Sequence, residues 1–321
     1  RWKPKSTLNH VLDLLNVQYV RNLNPSNYFN VYQNSFSRLE NIALGSYDTP
    51  NEFLFIDAEG NQNLIKSKSD EFIDLVIDDS DYQESNPDDY QTVNNIDERK
   101  NRLTENNLIL AANFSYILDK RESLFDNSFS IFRAKLEFAG NLLANTSKLL
   151  GLEKDSDGRY KINGVAFSQY IKTELDYVKH WSMGRNNVLA SRIFFGIAVP
   201  YGNSNSIPFS RSFFSGGAND NRAWIAYDLG PGSSDSNNEF NEANLKIALS
   251  LEHRYNLFGS LNGAFFIDIG NIWNVADNEN DPGATFDDFS SLKDIAIGSG
   301  FGLRYDFGFF VLRGDIGFKT Y

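Results

Sequence analysis

Polar and apolar residues alternate with a period of two over most of the chain beyond residue 106, the pattern of strands whose two faces meet different surroundings. In residues 107–118, Leu108, Leu110, Ala112, Phe114, Tyr116 and Leu118 share one face and Asn107, Asn113 and Ser115 the other. Residues 129–142 set Phe132, Ala134, Leu136 and Phe138 against Arg133, Lys135 and Glu137. Residues 165–180 set Val165, Phe167, Ile171, Leu175 and Tyr177 against Ser168, Lys172, Glu174 and Asp176. Residues 189–199 place Leu189, Ile193, Phe195, Ile197 and Val199 opposite Arg192 and small residues. The alternation resumes in 244–255, 261–273, 295–307 and 310–319, where Lys246, Glu252, Arg254, Asp268, Arg304, Arg313, Asp315 and Lys319 all fall on the polar face. An earlier run, 12–20 (LDLLNVQYV), predicts a first strand, and SRLENIAL within the mixed stretch 28–43 is a candidate short helix.

These segments exceed the roughly 5–6 residues of ordinary soluble strands and suit the roughly 9–11 that cross a membrane. The connections between them run long, short, medium, short, long, short, long, short. An up-and-down barrel with extended loops at one rim and tight turns at the other requires that alternation. The expected fold is therefore all-β, an antiparallel transmembrane barrel with apolar residues outward and charges toward a polar lumen. Tyr19, Tyr177, Trp181, Trp273 and Tyr305, near strand ends, are candidates for aromatic girdles at the membrane interfaces, although any one of them taken singly is better read as a packed side chain.

Composition narrows the function. The 321 residues carry a formal net charge of -12, which argues against nucleic acid as a partner. Cys is absent, so disulfides, thiolate zinc sites and cysteine nucleophiles are excluded, and His10, His180 and His253 show no metal-ligand spacing. No metal and no cofactor is expected. No apolar run reaches the roughly 18 residues of a membrane helix, and a mean hydropathy of -0.40 does not count against a barrel, whose loops and inner face are polar. The chain opens at Arg1 without a signal peptide, as expected if a leader has been removed or the sequence starts inside a longer protein. The acidic stretch 67–98, with DDSDYQESNPDDYQ, lacks the ordered register of a calcium loop and is expected to be a solvated loop.

Residues 209–232 (FSRSFFSGGANDNRAWIAYDLGPG) have the composition of a packed plug. Gly216, Gly217, Gly230 and Gly232 suit positive φ or close approach, and Phe213, Phe214 and Trp224 supply apolar surface. Arg222, set among this material, needs a carboxylate if buried. Glu252 and Asp268, on the inward faces of the next two strands, are the candidates. From spacing alone, three unrelated lumen charges solvated by water remain the open alternative. Neither a G-x-S-x-G elbow nor a recognisable triad is present, and GSGFG at 298–302 lies within a strand, unlike a dinucleotide fingerprint, so no enzyme is expected.

GGANDNRAW resembles the loop motif of the outer-membrane assembly superfamily that includes BamA and TamA, and SLEHRY and FFIDIGNIW resemble that family's following two strands. The wording VPYGNS, PFSRSFFSGGANDNRAW, DLGPGS and GFGLRYDFG is most similar to the TamA-like lipoprotein branch of Bacteroidota. The resemblance covers 104–321 well and departs at Ala223, where the family has glycine. It implies Arg222 as loop anchor, Asp268 and Glu252 as its barrel partners and Trp224 as apolar packing, beside Gly216, Gly217, Gly230 and Gly232, which the composition of the loop already marks as loop packing. It implies that residues 1–321 are about the C-terminal half of a barrel of about 16 strands. POTRA domains, early strands and the last strand then lie outside this sequence. In that frame 22–103 is a long extracellular insertion and 200–243 the inward-folded loop. The implied activity is insertion or export of β-barrel or surface proteins in the bacterial outer membrane. The implied partners are the lipid bilayer, unfolded clients and periplasmic or lipoprotein subunits. A two-partner secretion transporter and a passive porin-type channel are the alternatives.

Overall fold

A computed structural model describes residues 7–123, 126–234, 241–277 and 281–321. Parts of the short connection after residue 119 and of the expected loop 200–243, and the opening residues 1–6, lie outside the described residues. The chain builds one nine-stranded sheet of β1 (Thr7–Val20), β2 (Asn107–Asp119), β3 (Ser130–Ala139), β4 (Tyr170–Ser182), β5 (Asn187–Pro200), β6 (Leu245–Phe258), β7 (Leu261–Trp273), β8 (Ala296–Asp306) and β9 (Val311–Lys319). Each strand pairs antiparallel with its sequence neighbours, and β1 and β9 are the two open edges of a partial barrel.

Antiparallel order fixes where the connections go. The long segments after β1, β3, β5 and β7 all leave from one end of the sheet. The turns after β2, β4, β6 and β8 close the other end. The outward face carries Ile193, Leu251, Phe265, Ile267, Phe301, Leu303, Ile316 and Phe318, all exposed. The opposite face carries the charges and is covered in part by the connection between β5 and β6. This apolar-out, polar-in wall is that of a membrane barrel. Among the described residues no helix is long and apolar enough to cross a membrane.

Several boundaries differ from the alternation. The strand expected over 165–180 begins at Tyr170, because Val165–Ala166 pairs separately with Lys161–Ile162 in a small hairpin of the long connection. The segment 129–142 ends as a strand at Ala139, and Asn141–Thr146 forms a short helix after Gly140, whose φ is 76°. Trp273 is fully buried instead of facing an interface, because Phe286 of the next connection packs edge-on against it and Gly232 closes over its ring. Tyr19, Tyr177, Trp181 and Tyr305 do lie exposed.

The larger departure is at 67–98. Instead of a solvated loop, the structure has α2 (Ser69–Ile77), α3 (Ser80–Ser85) and α4 (Pro87–Thr104), which pack with α1 (Gln33–Gly45). Helical spacing hidden in the acidic run explains this: Phe72, Ile73 and Val76 line one face of α2, and Val93 and Ile96 one face of α4. These join Leu39, Ile42, Phe53 and Leu64 in a buried core separate from the barrel wall. The acids then serve as helix-start signals. Asp79 accepts hydrogen bonds from the backbone of Asp81 and Tyr82, and Asp70, Glu71, Asp88 and Asp89 occupy first turns, where the helix dipole favours them. Burial, reinforced by the hydrogen bond to Asp79, pushes the Tyr47 hydroxyl up to about 12. Arg102 at the end of α4 pairs with the nearly buried Glu242 at 2.9 Å, tying the helical insertion to the chain just before β6. Phe72→Ala is expected to destabilise this insertion by about 3–5 kcal/mol. Hydrogen exchange over 69–104 should accelerate while the strand amides stay protected; equal acceleration in the strands would contradict a separate core.

Candidate functional site

The connection between β5 and β6 turns back over the polar face of the sheet. Its entry and exit are zipped by paired backbone bonds between Phe213 and Ala243, at 2.7 and 2.9 Å, and Tyr227 donates to the Ser215 carbonyl at 3.0 Å. Phe213 is buried edge-on against Phe194 of β5, while Phe214 stacks on Tyr227 at 4.1 Å and stays 39% exposed. Asp220 folds the tip by accepting from Ser215 Oγ and the Gly216 amide, at 3.0 and 2.8 Å. Lys246 of β6 then fastens the fold to the wall through Asp220 at 3.0 Å and the Phe214 carbonyl at 2.6 Å. Gly216, Gly217, Gly230 and Gly232 have φ of 94°, 98°, 80° and 50°. At Gly216 a side chain would run into the Ile225 carbonyl, and at Gly232 into the Gly283 carbonyl.

Strand register decides what lies beneath the tip. Glu252 of β6 stands opposite Phe266 of β7, which stands opposite Gly300 of β8 and, beyond it, Gly317 of β9. In the adjoining row Ser250 stands opposite Asp268, then Gly298. Paired residues of antiparallel strands share a face, so both rows face inward.

Arg222 sits over these two rows. Its Nε and Nη2 donate to the two oxygens of Asp268 at 2.7 and 2.8 Å, and its backbone amide donates to the same carboxylate at 3.2 Å. Nη1 donates to Glu252, and the guanidinium lies 3.6 Å from the centroid of the Phe266 ring. A fork on one carboxylate with an aromatic face below it is geometry that only arginine supplies. The Arg222 side chain is 6% exposed, and Asp268 and Glu252 are similarly enclosed.

The three residues named from the sequence are thus brought together, inside a larger network. Ser250 donates to Asp268 at 2.6 Å. Glu252 also accepts from Arg254 and, at 2.9 Å, from Arg304 of β8, whose Nη1 lies 3.1 Å from Asp315 of β9. Arg313 approaches Asp315 at 3.1 Å, so three carboxylates face four guanidinium groups. The alternation places Arg304 and Asp315 on the polar face, but nothing in it gives the register that leads them to Glu252. Phe266 would have needed the same register.

Trp224 packs beside Gly298, with Lys319 5.3 Å from its ring centroid. Next to the tip a cavity of about 430 Å³ opens between loop and wall, lined by Phe194, Phe213 and Phe214 and by Lys172, Arg192 and Lys246. Each of those cations is already paired, with Glu174, Asp176 and Asp220 respectively.

Comparison with known proteins adds a family. The family model described as Omp85 superfamily domain matches residues 73–321. No curated protein matches. Among solved structures, BamA from Haemophilus ducreyi lacking POTRA domains 1-3 aligns with 13% identity and a TM-score of 0.47, over 68% of this chain and 40% of that one. CdiB from Acinetobacter baumannii aligns with 13% identity and a TM-score of 0.28, over 65% of this chain and 38% of that one. The chain therefore spans about two fifths of the length of either structure.

Proposed function

Because the chain belongs to the Omp85 superfamily, we propose that it is the C-terminal part of an outer-membrane insertase or translocase that assembles or exports β-barrel or surface proteins. The observation that carries this reading is the ion-paired docking of the loop tip: one arginine clamped to acidic groups on two successive strands, with a third strand joined through Arg304. A pore that only lets solutes diffuse has no need to fix a loop so specifically, whereas a machine that handles a chain within its lumen gains from a rigid inner wall. The apolar outward face supports a lipid bilayer as surroundings, with the long connections at the extracellular rim. Partners in this reading are unfolded clients and periplasmic or lipoprotein subunits. No catalytic step is assigned to Glu252 and Asp268, since arginines engage both carboxylates as anchors. The narrowest form of the reading places the chain in the TamA-like branch of Bacteroidota, on the wording of its loop and of GFGLRYDFG.

Reconstitution tests it. The full-length protein in liposomes should accelerate the folding of an unfolded outer-membrane barrel added from outside, scored by protease resistance of the client. Large, steady, solute-selective conductance without acceleration would replace this reading with the porin-type channel. Passage of a secreted chain into the vesicle lumen without barrel insertion would replace it with a two-partner secretion transporter.

A further inference from the structure

We propose that Gly298 and Gly317 are positioning residues: together they form a seat, shaped by the absence of side chains on two neighbouring strands, that admits the backbone of Arg222 and Ala223 and so sets how deeply the loop tip docks. The inference deepens the reading above, on which it rests, by naming what fixes the anchor's depth. Ion pairs alone do not, because a guanidinium on a long stem reaches carboxylates from a range of heights.

Steric complementarity carries the argument. Gly298 of β8 faces inward beside Asp268, and a methyl group placed on it would come within 2.7 Å of Ala223 Cβ and 3.2 Å of the Trp224 ring, and would also meet the Asn221 carboxamide. Gly317 of β9 faces inward one row away. A methyl there would lie 2.7 Å from the Arg222 carbonyl oxygen and 3.0 Å from both N and Cα of Ala223. Such separations are well inside van der Waals contact, so neither wall position tolerates a side chain while the tip is seated. Both glycines lie in extended strand and neither has a positive φ, so backbone conformation does not call for glycine at either place. Contact with the tip is what calls for it. Gly314, also on β9 but on the outward face, would carry a methyl with nothing within 4 Å and supplies the contrast. Asn221, Arg222, Ala223 and Trp224 thus meet the wall through two positions whose obstructions differ in kind. At Gly298 the crowding atoms belong to side chains, including the Ala223 methyl. At Gly317 they belong to the loop backbone.

That difference gives the test. Hydrogen exchange of the loop tip, including the Arg222 amide that donates to Asp268, is followed in the full-length protein in lipid nanodiscs for Gly298→Ala, Gly317→Ala and Gly314→Ala. Overpacking a closed contact should raise tip exchange about five- to a hundredfold in the first two and leave the third unchanged, with strand amides protected in all three. Adding Ala223→Gly together with Asn221→Ala should restore protection in Gly298→Ala, where the two changes remove the methyl and the carboxamide that collide with the new side chain, and fail to restore it in Gly317→Ala, where the loop backbone is the obstruction. Should a wall variant not fold, Ala223→Val supplies equivalent bulk from a segment outside every strand and should free the tip in the same way. Unchanged tip exchange in the wall variants and in Ala223→Val, or rescue of both wall variants or of neither by Ala223→Gly combined with Asn221→Ala, overturns the proposal. Exchange reads docking without any client, so a protein that seats its loop in this way and yet assembles nothing would defeat the functional reading and leave this one standing.

Discussion

Arg222→Glu is expected to undock the loop and abolish activity in cells that depend on this protein, while a properly inserted barrel still forms. The substitution places a third carboxylate against Asp268 and Glu252 in a pocket where the native side chain is only 6% exposed. Removing one partner of a buried pair costs about 3–5 kcal/mol, and reversing it adds repulsion. Arg222→Lys should recover only part of the loss. A single ammonium cannot grip both oxygens of Asp268, reach Glu252 and sit over the Phe266 ring as the guanidinium does. Combining Arg222→Glu with Asp268→Arg should restore activity partially, because one pair is rebuilt while residue 222 still faces the Glu252 carboxylate. Complementation of a depletion strain, scored beside electrophoretic migration of the unheated folded barrel, separates lost docking from lost folding. Full activity of Arg222→Glu would remove the anchor from the mechanism.

Glu252→Leu is the second large effect, and it should fall on the barrel wall as well as the loop. Glu252 is shared by Arg222, Arg254 and Arg304, so its loss leaves three guanidinium groups converging without their common partner. The expected cost is again about 3–5 kcal/mol, visible as a lower temperature for conversion of the folded to the unfolded band. Arg304→Leu in the same background should recover part of that loss. It removes one uncompensated charge, and Asp315 keeps Arg313 at 3.1 Å. A coupling of about 0.5–3 kcal/mol between the two changes is expected for residues within one network. Strict additivity would show that Glu252 and Arg304 do not act as a pair.

Alternation was a strong guide to the strands because each one separates two media. In β7, Phe265 and Ile267 point outward and Phe266 and Asp268 inward, and this period of two survives whatever the neighbouring strands do. Alternation does not say what covers a strand end: Trp273 is packed and not at an interface because Phe286 and Gly232, both from connecting segments, close over it. At 67–98 composition concealed structure. Most of the acidic residues lie on exposed faces and first turns of α2, α3 and α4, while a few apolar side chains at helical spacing build the core.

For the anchor, sequence could name Arg222, Glu252 and Asp268, because a cation among aromatic and glycine residues requires a buried acid and strand parity limits where that acid can be. It left open whether they meet. Only the assembled sheet decided that, since the register between strands sets which rows lie under the tip, and register depends on pairing across the whole wall. The same holds for the parts that composition conceals altogether: Arg304 and Asp315 extend the network by crossing two strands, and Gly298 and Gly317 matter through atoms they lack. An absent side chain has meaning only against the neighbour that occupies its place, and that neighbour arrives from a distant part of the chain through folding.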